Sequence, residues 1–148
     1  MDANLKQALV QGVTLRYLEQ GQGPPVVFVH GAFSDHRVWD AQREEVADRY
    51  HYIAFDQRYF GSAPWLDDGA KYSVATHATD LASFVEKLNV GPVHLVGWSY
   101  GGAVALAFAA QRPDLLRSLF LNEPALASLV GDPAKQKVLA EERMPLAS

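Results

Sequence analysis

The sequence predicts an α/β fold: a mostly parallel sheet with helices on both faces. Three observations predict it. Short apolar runs of strand type alternate with helical stretches, the order that builds βαβ units. Val26-Val27-Phe28-Val29, Tyr52-Ile53-Ala54-Phe55 and Leu119-Phe120-Leu121 are apolar throughout, as strands covered on both sides require. Val93-His94-Leu95-Val96-Gly97-Trp98-Ser99-Tyr100-Gly101-Gly102 reads as strand, sharp turn and the start of an Ala-rich helix. Right-handed crossovers between parallel strands then place helices on both faces.

Each element has its own justification. Residues 13–19 alternate apolar and polar, the sign of a strand with one wet face. Gly21, Gly23, Pro24 and Pro25 mark a turn before the Val26 strand. His30-Gly31-Ala32-Phe33-Ser34-Asp35 is a loop, and residues 38–49 form an amphipathic helix with Trp39, Gln42 and Val46 on one side. His51 reads as a loop residue before the Tyr52 strand, which ends in the polar loop Asp56-Gln57-Arg58-Tyr59-Phe60-Gly61-Ser62. Residues 74–88 form a helix, with Leu81, Phe84, Val85 and Leu88 recurring at spacings of three and four. Gly91-Pro92 stops it. His94 is expected to be buried inside its strand, and the next helix runs to Gln111, ahead of Pro113. After the Leu119 strand comes Asn122-Glu123-Pro124, and residues 134–144 form a polar helix.

With 148 residues the chain can build one domain with a sizeable core. Its net charge of -4 makes neither nucleic acid nor an anionic membrane an expected partner. The absence of cysteine excludes a disulfide scaffold, a thiol nucleophile and Cys-type zinc sites. The first residues lack a signal-peptide pattern, and no apolar run approaches membrane-spanning length. A soluble cytoplasmic protein without cofactor or metal is the expectation. No Gly-x-Gly-x-x-Gly or Gly-Lys-Ser/Thr loop supports a nucleotide binder.

Ligands of parallel sheets bind outside the carboxyl ends of the strands. His30, Asp56, Ser99 and Glu123 each lie just past such an end. The Gly97-Trp98-Ser99-Tyr100-Gly101 turn carries the chemistry. A serine that attacks a carbonyl must stand clear of its strand, so the turn must be tight. Gly97 and Gly101 fall where strand and helix approach too closely for a Cβ. The helix starts just past the serine, so its free N–H groups and positive dipole end lie beside the reacting centre. A developing oxyanion is favoured there.

Three motifs together resemble the α/β-hydrolase family, of the esterase, lipase and haloperoxidase type: His30-Gly31 with Trp39, Asp56-x-Arg58-x-x-Gly61, and the Gly97–Gly101 turn. Tyr59 stands where the family often has glycine. The resemblance implies Ser99 as nucleophile and Glu123 as a candidate acid. It implies an oxyanion hole from the amides of Tyr100 and Ala32, with Phe33 beside the latter. Phe33 and Trp98 would line an apolar acyl pocket, whereas Trp39 is read as core packing. His30, Asp56 and Arg58 are read as loop-fixing residues. Serine at the apex argues against the dehalogenase and epoxide hydrolase chemistries, for which the family uses aspartate.

A family triad needs a histidine after the serine, and none follows Ser99; the five histidines are at 30, 36, 51, 77 and 94. His36 and His77 are the candidate bases within the chain. The expected organisation is a partial hydrolase core over residues 1–126, truncated after the sixth family strand, and the start of a helical cap over 127–148. The expected function is hydrolysis of a small ester-like acyl substrate through an acyl-enzyme on Ser99. The alternative is a catalytically incomplete fragment, or a non-catalytic homologue that binds a ligand or a protein partner. The Leu119 strand, exposed as an edge, predicts a homo-oligomer or a missing C-terminal segment that completes the sheet.

Overall fold

The structure is a computed structural model that describes residues 4–126 and 133–134. Six strands make one sheet: β1 Lys6–Val10, β2 Val13–Gln20, β3 Pro25–Val29, β4 His51–Phe55, β5 Val93–Trp98 and β6 Leu116–Asn122. Their order is β1-β2-β4-β3-β5-β6. β1 and β2 are antiparallel, as are β2 and β4; β4, β3, β5 and β6 run parallel. The helices are α1 Asp40–Ala47, α2 Val74–Leu88 and α3 Tyr100–Gln111. A mostly parallel sheet with helices on both faces is therefore the architecture of the chain.

The two faces bury different residues of the same strands. Val27 and Val29, Ile53 and Phe55, and Val93 and Leu95 pack with Leu81, Phe84, Val85, Val104 and Phe108 from α2 and α3. Val26 and Phe28, Tyr52 and Ala54, and Val96 and Trp98 meet Trp39, Val46 and Ala47 on the other face. The period of two explains why β3 and β4 read as apolar throughout. Trp39 is core, 5.1 Å between ring centroids from Phe28.

Boundaries follow local chemistry. Ser73 caps α2 by accepting from the Thr76 amide at 3.0 Å. α2 ends at Asn89, which is left-handed at φ 52°, two residues before the predicted Gly-Pro stop. The expected helix over 38–49 divides instead into a 3₁₀ turn, His36–Trp39, and α1. Asp35 initiates the turn by accepting from the Arg37 amide, and the chain turns into α1 at Trp39.

β1 is an addition to the predicted elements. Its signal is the two-residue turn Gln11-Gly12, both at positive φ, with Ala8 and Val10 buried in alternation. His51 is not a loop residue; it opens β4, its Nε2 2.6 Å from Glu19 Oε2. His94 is not buried, because it lies on the thinly covered face of β5, where Nδ1 meets the Ser118 hydroxyl at 2.7 Å. β6 is one of the two edge strands among the described residues, so Leu119-Phe120-Leu121 is not covered on both sides as its apolar run suggested, and Phe120 is 63% exposed. The expected cap segment and the 134–144 helix lie outside the described residues apart from 133–134. No helix among the described residues is long and apolar enough to cross a membrane.

Candidate active site

Ser99 occupies the junction of β5 and α3 at φ 53°, ψ -121°. A side chain in that region costs on the order of 1–3 kcal/mol and persists only where neighbours hold it. The neighbours are visible. The Ser99 amide donates to the Asn122 carbonyl at 3.1 Å, and the Ser99 carbonyl accepts from the Gly102 and Ala125 amides, both at 2.9 Å. The chain reverses between those contacts at Glu123, φ 44°. A Cβ on Gly97 would lie 2.7 Å from the Gly101 carbonyl oxygen, and one on Gly101 would overlap the carbonyl oxygens of Val29 and His30. Glycine at these two positions sets how closely strand and helix approach.

Serine is a favoured N-cap, yet the Ser99 hydroxyl caps nothing at the head of α3. Among the described residues it has no hydrogen-bond partner. The loop after β3 lies against it: a Cβ on Gly31 would be 3.2 Å from the Ser99 Cβ and 3.0 Å from the Trp98 ring. Half-buried Ala32 follows, then Phe33 at φ 56° with its side chain 65% exposed. Tyr100 is the first residue of α3, so its amide has no acceptor one turn back. The fold thus gathers Ser99, Tyr100, Trp98 and the Gly31-Ala32 loop. Glu123 is near along the backbone, but its side chain is exposed and has no bonded partner among the described residues.

The other rim residues hold loops. His30 is fully buried; its Nε2 accepts from the Gln57 amide at 3.0 Å, so Nδ1 carries the proton and donates to the Gly31 carbonyl at 2.7 Å. Burial pulls its pKa down to about 4. Asp56 accepts from the His36 amide and pairs with its Nδ1, both at 2.8 Å, and that bond raises the His36 pKa. Arg58 forms a two-pronged pair with Asp80 of α2, at 2.9 and 2.8 Å, with both side chains 3% exposed. Tyr59 has a left-handed φ of 71°.

His77 is the one candidate base that reaches the serine's neighbour. Its Nε2 donates to the Arg58 carbonyl at 3.0 Å and its Nδ1 accepts the Tyr100 hydroxyl at 2.6 Å. Burial lowers its pKa. Neither His36 nor His77 is hydrogen-bonded to Ser99. Phe60, Tyr72 and His77 pack around the Tyr100 ring. Apart from His77, this cluster and Asp80 were not evident as site features in the sequence. The available signal was two polar residues, His77 and Asp80, in the apolar stripe of α2.

Asp35, His36 and Asp56 are close enough to share a cation. However, Asp56 is committed to His36, and Asp35 to Arg37 at 2.7 Å. Among the described residues, two cavities lie away from Ser99. One, of about 330 Å³, is between Gln11, Arg58, Lys71 and Asp80. The other, of about 580 Å³, is between Leu5, Leu18, Glu19 and Arg43.

The model of the alpha/beta hydrolase fold family matches residues 24–147. The chain belongs to the α/β-hydrolase family. It is 36% identical over 107 residues to the 2-(acetamidomethylene)succinate hydrolase of Mesorhizobium japonicum, covering 72% of this chain and 38% of that one. It is 31% identical to the (E)-2-((N-methylformamido)methylene)succinate hydrolase of Acinetobacter baylyi, covering 72% and 40%. A thermophilic esterase from Thermogutta terrifontis superposes with TM-score 0.73 at 33% identity, over 82% of this chain and 46% of that one. This α/β hydrolase chain thus spans about two fifths of the length of the curated relatives it matches.

Because His30 is buried neutral, folding should weaken in acid. The unfolded imidazole takes a proton as pH falls through 6.5, whereas the folded one resists it until about 4. The stability is complete above the first value and falls by roughly 3 kcal/mol toward the second. Urea midpoints across that window should decline. The His30 ring resonances should stay neutral until the lower end; a His30 that titrates at its ordinary pH contradicts the assignment.

Proposed function

We propose that this α/β hydrolase chain carries the nucleophile and oxyanion donors of a serine hydrolase acting on an ester or a similar acyl group. One observation carries the proposal: a hydroxyl with no hydrogen-bond partner among the described residues, held at a strained strand-to-helix junction with Gly31 against its Cβ. In this reading the Ser99 hydroxyl attacks a carbonyl and an acyl-enzyme forms, which water then releases. The Tyr100 and Ala32 amides take the charge on the oxygen, where one such donor is worth on the order of a hundredfold in rate or more. Phe33 and Trp98 would line the acyl pocket. Two relatives are named as hydrolases of amide-bearing succinates, which supports counting amides beside carboxylates among the acyl groups considered.

The proton on Ser99 needs an acceptor. His30 has both ring nitrogens engaged, His36 faces Asp56, and His77 faces Tyr100. The alternative function is therefore a member that binds acyl ligands without turnover, and Glu123 is the candidate acid only in the first reading. A fluorophosphonate probe separates the two. Ser99 should be labelled in the parent chain, and Ser99→Ala should abolish the label while the fold, checked by circular dichroism, is unchanged. A folded parent that binds an ester analogue but takes no label supports the non-catalytic alternative.

A further inference from the structure

We infer that His77 and Tyr100 form a positioning pair for the candidate reaction, in which His77 anchors the tyrosine whose amide begins α3 beside Ser99. The inference rests on the acyl-transfer reading of Ser99. Its geometry is independent of that reading.

His77 is 1% exposed and lies on the face of α2 that meets the rest of the core. Its two nitrogens join two different segments. Nε2–H donates to the carbonyl of Arg58, in the loop after β4, and Nδ1 accepts from the hydroxyl of Tyr100, at the head of α3. The donor directions are fixed by this arrangement. A carbonyl can only accept, so Nε2 carries the proton and Nδ1 is the acceptor. The Tyr100 hydroxyl must then point its hydrogen at His77.

The Tyr100 ring is constrained on two further sides. Tyr72 stacks on it with centroids 5.4 Å apart and planes at 21°, and His77 stands perpendicular to it at 5.4 Å and 90°. Burial raises the pKa of the Tyr100 phenol, so the hydroxyl remains a donor. With ring, edge and hydroxyl all held, the residue that carries the proposed donor amide cannot swing with the start of its helix. A donor aimed in advance at the developing charge needs no reorganisation during reaction. Substrate contact is not required of either side chain, so the pair acts on the rate of the chemical step rather than on binding.

The test is the two-step kinetics of Ser99 phosphonylation by a fluorophosphonate probe in the 148-residue chain. The variants are Tyr100→Phe, His77→Leu and the double variant, each with its thermal midpoint recorded. Tyr100→Phe removes one oxygen and keeps the ring, so it folds even if His77→Leu does not. The maximal rate of inactivation should fall about three- to tenfold in Tyr100→Phe, the range one buried hydrogen bond commands, while the probe concentration at half-maximal rate stays unchanged. The double variant should lose no more than His77→Leu alone. A Tyr100→Phe chain that reacts at the parent rate overturns the inference, even if its midpoint drops, because that is a structural role only. So does a pair of losses that multiply. A folded parent that is never phosphonylated removes the acyl-transfer reading itself, and the positioning role falls with it.

Discussion

Gly101→Ala should destabilise the chain by about 3 kcal/mol or more, because the added carbon has no route of escape. It would meet the carbonyl oxygens of Val29 and His30, which are backbone atoms at the end of β3. A side chain could rotate away; a strand paired on both sides cannot. β3 is hydrogen-bonded to β4 on one edge and β5 on the other, so a shift of Val29 propagates through the centre of the sheet. The helix could instead move outward, but then Gly97 loses its contact with Gly101 and the Ser99 backbone leaves its present conformation. Either relaxation opens the site, so Ser99 labelling should fall together with stability. In a chain of this size the thermal midpoint should drop by roughly 6–12 °C. Gly69→Ala is the control: its φ of +75° strains alanine, but nothing lies within 4 Å of the added carbon. Urea unfolding should show the Gly101 variant losing clearly more than the Gly69 variant; equal losses would falsify the steric account.

What the sequence made legible was local. The Gly97–Gly101 turn, α2 and the covered strands could be read because each depends on residues within a dozen positions: glycine where space is short, leucine and phenylalanine at helical spacing. The loop-fixing roles of Asp56 and Arg58 were readable from their place in a motif, but their partners were not. His36 and Asp80 lie 20 and 22 positions away, and only the closed sheet brings them into contact. His94 was misjudged because a strand's period places it on one face without saying whether a helix covers that face. His51 was misjudged because a polar residue beside a tyrosine resembles a loop, until Glu19 on the neighbouring strand supplies a partner. The aromatic wall around Tyr100 draws rings from three segments, and no spacing rule connects them.

The partner of Arg58 should dominate the second large effect. Asp80→Ala is expected to cost about 3–5 kcal/mol, the range for stranding one charge of a buried pair. Arg58 donates through two nitrogens to this carboxylate and reaches the Gln11 carbonyl at 3.4 Å, so the guanidinium joins α2, the loop after β4 and the β1–β2 turn. With the carboxylate gone, a cation that is always protonated stays in a site where the residue is 2% exposed. The loss is a penalty of isolation rather than the value of the pair, and a second variant separates these. Arg58→Met combined with Asp80→Leu removes both charges and keeps apolar volume, and should recover much of the stability in urea unfolding. If the double variant is as weak as Asp80→Ala, the ion pair itself is stabilising. The consequence reaches the serine: the Arg58 carbonyl is the acceptor for His77, one turn before Asp80 on the same face of α2. A loop that shifts to hydrate a stranded Arg58 carries that carbonyl with it, so Asp80→Ala should slow Ser99 phosphonylation, whereas the charge-free double variant restores it along with stability.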